Sequence, residues 1–149
     1  MTSDLKHHQR GTVSLAAGGT GGHLCPAPAL GETLRERGYI IHLMTDERGI
    51  EYGGKFPAVL RHEIASATIT PRKPWRVPGQ LFRLIKGYNA AYEIMSQLPE
   101  GLPVCVIGFG GYPSFPPMLT ALRLRVPTII HEQNAVMGRA NRAVAKYVT

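Results

Sequence analysis

The chain has 149 residues, a formal charge of +7, an apolar fraction of 44% and two cysteines. That length holds one domain with a substantial core, and the apolar content argues against disorder along the whole chain. Cys25 and Cys105 lie far apart in unlike contexts, with neither a disulfide framework nor metal-ligand spacing, so a reducing compartment is the simpler reading.

Residues 1–11 read as a flexible polar N-terminus with no secretory signal, and residues 12–149 read as the domain. No later run is long enough to span a bilayer. Residues 13–17 predict a short buried strand that runs into Gly18-Gly19-Thr20-Gly21-Gly22-His23. Residues 27–37 predict a helix with Ala27, Leu30 and Leu34 on one face and Gly38 ending it. Residues 40–45 predict the next strand and residues 58–64 a third. Pro71, Pro74 and Pro78 make residues 66–78 poor material for regular structure.

A longer helix is expected over 79–98. Leu81, Leu84 or Ile85, Tyr88, Ala91 or Tyr92, and Met95 recur at three- or four-residue spacing and are expected to face a sheet. A strand at 104–107 leads into a second glycine-rich turn, Gly108-Phe109-Gly110-Gly111. A helix at 117–124, a strand at 128–130 and a helix at 139–146 complete the pattern. Residues 147–149 resemble the start of another strand, so the chain reads as truncated.

Alternating strands and helices imply an α/β fold, a doubly wound parallel sheet covered on both faces. Functional loops then gather at the carboxyl ends of the strands. Three polar clusters are expected to converge there, at residues 20–23, 110–114 and 131–134.

Four glycines in five residues let backbone turn tightly and approach a ligand closely, and the helix that follows directs free N–H groups at whatever the loop holds. The loop is neither a dinucleotide fingerprint nor a nucleotide-triphosphatase phosphate loop, because it has neither the G-x-G-x-x-G register nor the Lys-Ser/Thr end. The alternative is a turn chosen only for packing. His23 is either a general base, a helix cap or a hydrogen-bond donor to substrate. Glu132 suits orienting a substrate hydroxyl. Asn134 suits bridging sugar or phosphate groups, or capping the last helix. Both cysteines read as core residues, and no Cys/His/Asp/Glu cluster has convincing metal spacing.

Residues 64–91 carry five bases, Arg72, Lys73, Arg76, Arg83 and Lys86, and no acid, with Trp75, Leu81, Phe82 and Ile85 interleaved. That mixture suits an anionic membrane surface. The plainer alternative makes the aliphatics core and the bases their solvated face. The apolar interleaving and the glycine loops disfavour nucleic acid.

Ala17 to His23 with Pro26, Gly108-Phe109-Gly110-Gly111-Tyr112 with Ser114, and His131-Glu132-Gln133-Asn134-Ala135-Val136 with Gly138 and Asn141 together closely resemble one family. It is the MurG family of undecaprenyldiphospho-muramoylpentapeptide β-N-acetylglucosaminyltransferases, and the resemblance covers its amino-terminal half. It implies the first half of a GT-B glycosyltransferase. A carboxyl-terminal nucleotide-sugar domain, outside this chain, is expected to complete it.

The activity implied is transfer of N-acetylglucosamine from UDP-N-acetylglucosamine to the C4 hydroxyl of lipid I, giving lipid II with inversion; the alternatives are another GT-B glycosyltransferase, a sugar-nucleotide epimerase, or a non-catalytic membrane or interaction domain. This half alone is expected to be inactive. No tightly bound cofactor or metal is implied. The implied partners are lipid I, the anionic cytoplasmic face of the bacterial inner membrane, and proteins of cell-wall synthesis and division. By matching positions, His23 takes the place of the base. Thr20, Gly21 and Gly22 meet donor sugar or acceptor diphosphate, and Asn134 contacts the donor sugar. Gly111, Tyr112, Ser114 and Glu132 lie on the acceptor side. Arg72, Lys73, Trp75, Arg76, Leu81, Phe82, Ile85 and Lys86 match a membrane-docking patch. The chain departs from the usual pattern at residues 112–117, where smaller residues are common near the serine, and at Met137, where Pro is frequent.

Overall fold

Five parallel strands form the sheet of the computed structural model, which describes residues 10–18, 26–52 and 60–149. In chain order the elements are β1 (Thr12–Ala16), α1 (Pro26–Glu36), β2 (Ile40–Thr45), α2 (Glu47–Tyr52), β3 (Leu60–Glu63), α3 (Val77–Ser96), β4 (Cys105–Gly108), α4 (Phe115–Arg123), β5 (Thr128–Ile130) and α5 (Arg139–Val144). The strand order is β3-β2-β1-β4-β5. The chain therefore winds outward from β1 to β3, then crosses back to β4 on the other side of β1. That reversal makes a crevice at the carboxyl ends of β1 and β4, where open α/β sheets bind ligands.

The sheet has a packed layer on each face, which is why every residue of β1 is buried rather than every second one. Val13, Leu15, Ile41, Leu43 and Ile107 point one way and pack with Ala27, Leu30 and Leu34 of α1. Met44, Val106 and Ile64 point the other way, against Ala91 and Met95 of α3, Met118 and Ala121 of α4, and Val144 of α5. Helix α1 ends as expected at Gly38. With φ of +87°, this residue lets its own N–H reach the Arg35 carbonyl at 2.9 Å while Tyr39 N–H reaches Leu34 at 3.1 Å.

Most boundaries differ from the expected ones by one or two residues. Two 3-10 turns, Pro74–Arg76 and Tyr112–Ser114, add regular structure, the first of them in the segment whose prolines had argued against it. Each leads directly into a helix, with Pro78 in the first turn of α3 and Pro116 and Pro117 in that of α4, where a missing N–H costs no hydrogen bond. Residues 147–149 form no strand, although Thr149 N–H donates to the Thr128 carbonyl on the β5 edge at 3.1 Å.

The larger correction concerns α3. Leu81, Ile85 and Tyr92 do not face the sheet; they are 49%, 50% and 42% exposed. The buried stripe is Gly87, Ala91 and Met95, with Leu84 and Tyr88 half-buried. The small residues allow the helix to lie close to the chain leaving β3. A Cβ on Gly87 would sit 1.8 Å from the Ala65 carbonyl oxygen, so only glycine fits there. Cys105 is half-buried against the α1-side core, and burial pushes its thiol pKa up, as suits a packing residue.

Candidate functional site

The rim of the crevice is set by backbone pairing. Ala16 aligns with Gly108, and Gly108 aligns with Ile130, so Gly18, Gly110 and Glu132 each lie two residues past aligned positions. Three further bonds carry that pairing past the strand ends. Ala17 N–H donates to Met44 O at 3.1 Å, Phe109 N–H to Ala16 O at 2.9 Å, and His131 N–H to Gly108 O at 2.7 Å. The second and third expected clusters thus leave adjacent strands at one level, beside the place where the first glycine loop departs. Thr20, Gly21, Gly22 and His23 themselves, like Cys25, lie outside the described residues.

Gly18 sits between the end of β2 and the turn after β4. A Cβ there would stand 2.8 Å from both Asp46 Oδ1 and Pro113 Cβ. Gly110 and Gly111 follow one another with φ of +86° and +76°, a pairing that residues with a Cβ adopt only at a cost. They turn the chain so that Tyr112 is half-buried while Ser114 is 2% exposed. The Ser114 hydroxyl donates to the Gly111 carbonyl at 2.8 Å. Its bond therefore closes the turn, and this position shapes Gly111 and Tyr112 rather than reaching outward from the rim.

Glu132 is the hub of the third loop. Its Oε2 accepts Gly138 N–H at 2.8 Å and Asn141 Nδ2 at 3.1 Å. Its Oε1 accepts Asn134 N–H at 3.1 Å and Asn134 Nδ2 at 2.9 Å. The Gly138 N–H, then the Asn134 N–H, and the two asparagine amides hold its carboxyl down to about 2. Glu132 is therefore an ionised acceptor near neutral pH, and it orients protein groups, Asn134 among them. Asn134 is exposed, and its amide nitrogen is already engaged with Glu132. Buried Asn141 also donates to the His131 carbonyl at 3.0 Å, which ties α5 to the end of β5. The Phe109 and His131 rings, with centroids 5.5 Å apart, link the second and third loops.

An open groove of about 1220 Å³ begins at this rim. Gly111, Tyr112 and Pro113 line it, as do Asp46 and Glu63 at the ends of β2 and β3, and Arg76, Arg83 and Lys86 on the α3 side. A smaller cavity of about 330 Å³ shares Tyr112 and is lined largely by apolar groups, including Ile69, Leu84 and Phe115. The basic, aromatic segment overlaps the groove's α3 side, where Arg76, Phe82 and Lys86 line it. Trp75 is 72% exposed and Phe82 68%, and Arg72, Lys73, Arg76, Leu81, Ile85 and Lys86 are all exposed. The plainer alternative, that the aliphatics are core, is thereby overturned for Leu81 and Ile85, while Leu84 is half-buried. The exposed side chains are spaced like a buried stripe yet face outward as one patch, of the kind that marks an interaction site.

Sequence reasoning gave no role to Gln80, Gly87 or Asn141. The first two fasten the groove's walls, and their signal was the four-three-four spacing of Arg76, Gln80, Arg83 and Gly87 along one helical stripe. Among the described residues, no three His, Cys, Asp or Glu side chains are grouped to hold a metal ion. No described helix is long and apolar enough to cross a membrane.

A parallel sheet with a glycine turn at its switch point defines a doubly wound α/β domain, and comparison with known proteins makes this specific. The chain belongs to the glycosyltransferase family 28 N-terminal domains, whose family model matches residues 13–149. It is 55% identical over 139 residues to the UDP-N-acetylglucosamine–N-acetylmuramyl-(pentapeptide) pyrophosphoryl-undecaprenol N-acetylglucosamine transferase of Rhizobium leguminosarum bv. trifolii, covering 93% of this chain and 36% of the relative. The same-named protein of Agrobacterium fabrum is 53% identical with the same coverage. The crystal structure of Acinetobacter baumannii MurG superposes with a TM-score of 0.77 at 28% identity, covering 93% of this chain and 39% of that one. The calicheamicin glycosyltransferase CalG4, at 15% identity and a TM-score of 0.60 over 91% of this chain and 36% of its own, shares the fold. The resemblance to MurG read from the three motifs is borne out, as is the α/β class with its parallel sheet. The chain spans little more than a third of the length of the curated relatives it matches.

Proposed function

We propose that this domain supplies the acceptor side of an inverting transferase. In that reaction N-acetylglucosamine passes from UDP-N-acetylglucosamine to the C4 hydroxyl of the muramyl sugar on lipid I, and lipid II forms. The observation that carries this reading is the shared level of Gly18, Gly110 and Glu132 at the β1–β4 crevice, with exposed basic and aromatic residues on the α3 side of the adjoining groove. A lipid-linked sugar needs both, a polar cradle for its head and an apolar, cationic surface where its chain enters the bilayer.

In this reading His23 removes the C4 hydroxyl proton as that oxygen attacks the anomeric carbon from the face opposite UDP. The bond to UDP breaks as the new glycosidic bond forms, and UDP leaves with the electron pair. Thr20, Gly21 and Gly22 offer main-chain donors, and the N-terminus of α1 directs its free N–H groups toward negative charge. Gly111 and Tyr112 receive the acceptor sugar, Ser114 fixes their turn, and Glu132 holds Asn134 toward the donor. The donor nucleotide is read mainly by a second domain, whose closure positions the reactants and excludes water. Trp75, Phe82, Leu81 and Ile85, with Arg72, Lys73, Arg76 and Lys86, dock the domain on the cytoplasmic face of the inner membrane. Proteins of cell-wall synthesis and division are the natural neighbours there.

The test is UDP release by the protein carrying both domains, with lipid I compared against soluble sugar acceptors. Release that depends on the lipid-linked acceptor supports the reading. Equal release with soluble acceptors, or none with lipid I, contradicts it.

A further inference from the structure

Among the described residues, no ion pair uses the charge on the α3 wall of the groove. Along the stripe of Arg76, Gln80, Arg83 and Gly87, two members secure the opposite wall. Gln80 Oε1 accepts Thr70 N–H at 3.0 Å, and Gly87 admits the Ala65 carbonyl. Arg83 lies between those two fixed points, lines the groove and has no ion-pair or hydrogen-bond partner among the described residues. Lys86 lines the same wall. The acids of the groove, Asp46, Glu47 and Glu63, stand across from it at the ends of β2 and β3 and the start of α2. Arg48 offsets part of that acidity, whereas the α3 side lines the groove with Arg76, Arg83 and Lys86 and no acid, so an anion entering the groove is drawn to α3.

We propose that Arg83, with Lys86 beside it, grips the pyrophosphate of the lipid-linked acceptor. Its sugar lies at the Gly111 turn, and its chain leaves over Phe82 and Trp75. Such an acceptor has three parts in fixed order: a polar sugar, a diphosphate and an apolar chain. The groove's lining offers a partner for each: the Gly111 turn, the cations Arg83 and Lys86, which have no ion-pair partner among the described residues, and Phe82, shared between the groove and the exposed patch. A planar guanidinium suits phosphate because it binds two oxygens at once. The proposal rests on the transferase reading above. It adds a residue that reads the acceptor, distinct from bases that only meet the bilayer.

A bilayer headgroup presents the same phosphate chemistry, so the test removes the bilayer. In the two-domain protein, Arg83→Gln is assayed with acceptor dispersed in detergent. The KM for acceptor rises about tenfold or more, as loss of a charged hydrogen bond worth ~1.4 kcal/mol or more requires, while kcat and the KM for UDP-N-acetylglucosamine hold. Arg83→Lys recovers part of the loss. Inorganic pyrophosphate competes with acceptor in the wild type and does so at least about tenfold more weakly in Arg83→Gln. Binding to acceptor-free phosphatidylglycerol vesicles stays the same. Unchanged acceptor KM and unchanged pyrophosphate competition overturn the proposal. So does a loss of vesicle binding with a normal KM in detergent, which assigns Arg83 to headgroups. A wild-type protein with no transferase activity removes the transferase reading instead, and direct titration with pyrophosphate then still decides whether Arg83 holds it.

Discussion

Asn141 Nδ2 lies 3.1 Å from Glu132 Oε2 and 3.0 Å from the His131 carbonyl oxygen, so one buried amide fixes both the carboxylate and the backbone of the third loop. The Glu132 carboxyl is held down to about 2, first by the Gly138 N–H and then by the Asn134 N–H. A depressed carboxyl pKa contributes stability that is present above the unfolded value of about 4.3 and is lost as pH falls toward 2. Asn141→Ala is expected to destabilise the domain by about 1–3 kcal/mol, because it removes two part-buried hydrogen bonds, one of them to the ionised Glu132 carboxylate. Thermal unfolding at pH 7 measures this. A side-chain carboxyl titration by NMR is expected to show Glu132 moving upward in the variant.

His42 and His62 give a second pH dependence, of separate origin. His42 Nδ1 and His62 Nε2 are 3.1 Å apart, with stacked rings, and His42 is buried. Burial lowers the His42 pKa, and Glu100 opposes that only in part. Burial and then the charge of His42 lower that of His62. Because the folded state favours the neutral rings, their contribution is whole above the unfolded value of about 6.5 and declines as pH falls below it. Urea midpoints are expected to drop between pH 7.5 and pH 5.5, and His62→Gln is expected to flatten that drop. An equal slope in the variant would assign it to other groups.

The exposed patch gives a prediction on binding without one on stability. Replacing Arg72, Lys73, Arg76 and Lys86 by Gln is expected to weaken partitioning onto anionic vesicles at least about a hundredfold, since each base near the surface contributes ~1 kcal/mol. Trp75→Ser with Phe82→Ser is expected to weaken it further. Neither set is expected to change unfolding free energy by more than about 0.5 kcal/mol, because these side chains stand outside the core. Vesicle sedimentation beside thermal unfolding checks both halves.

For His23 the expected signature is kinetic. In the two-domain protein His23→Ala is expected to lower kcat by about 10²–10⁴ with little change in the KM for UDP-N-acetylglucosamine, as loss of a positioned base does. Near-normal kcat would return His23 to the role of a cap or a hydrogen-bond donor.

The strands and the site loops were legible because their signals are local. An apolar run followed by polar residues fixes where a strand stops, and β2 (Ile40–Thr45), followed by Asp46, and β5 (Thr128–Ile130), followed by His131, begin and end where composition placed them. The phase of α3 was not legible. Leu81 and Ile85 have the spacing of a core stripe, and spacing alone does not say whether an apolar face meets a sheet or another apolar medium. The deciding contact, Gly87 on the Ala65 carbonyl, joins residues brought together only by the sheet. His42 and His62 were silent for the same reason: they meet through the register that sets Met44 opposite His62. The Glu132 hub was half legible. Its carboxylate stood in a recognisable motif, but its partners Gly138 and Asn141 reach it only through the turn into α5.

The central claim is that the acceptor lies across one rim built from the ends of β1, β4 and β5. Hydrogen exchange of the two-domain protein, with and without detergent-dispersed lipid I, tests it most directly. Added protection is expected together at residues 108–114 and 131–138 and along the groove at 65–86, with the outer face of α1 unchanged. Protection confined to the α1 face, or none at the two rim loops under saturating acceptor, would contradict it.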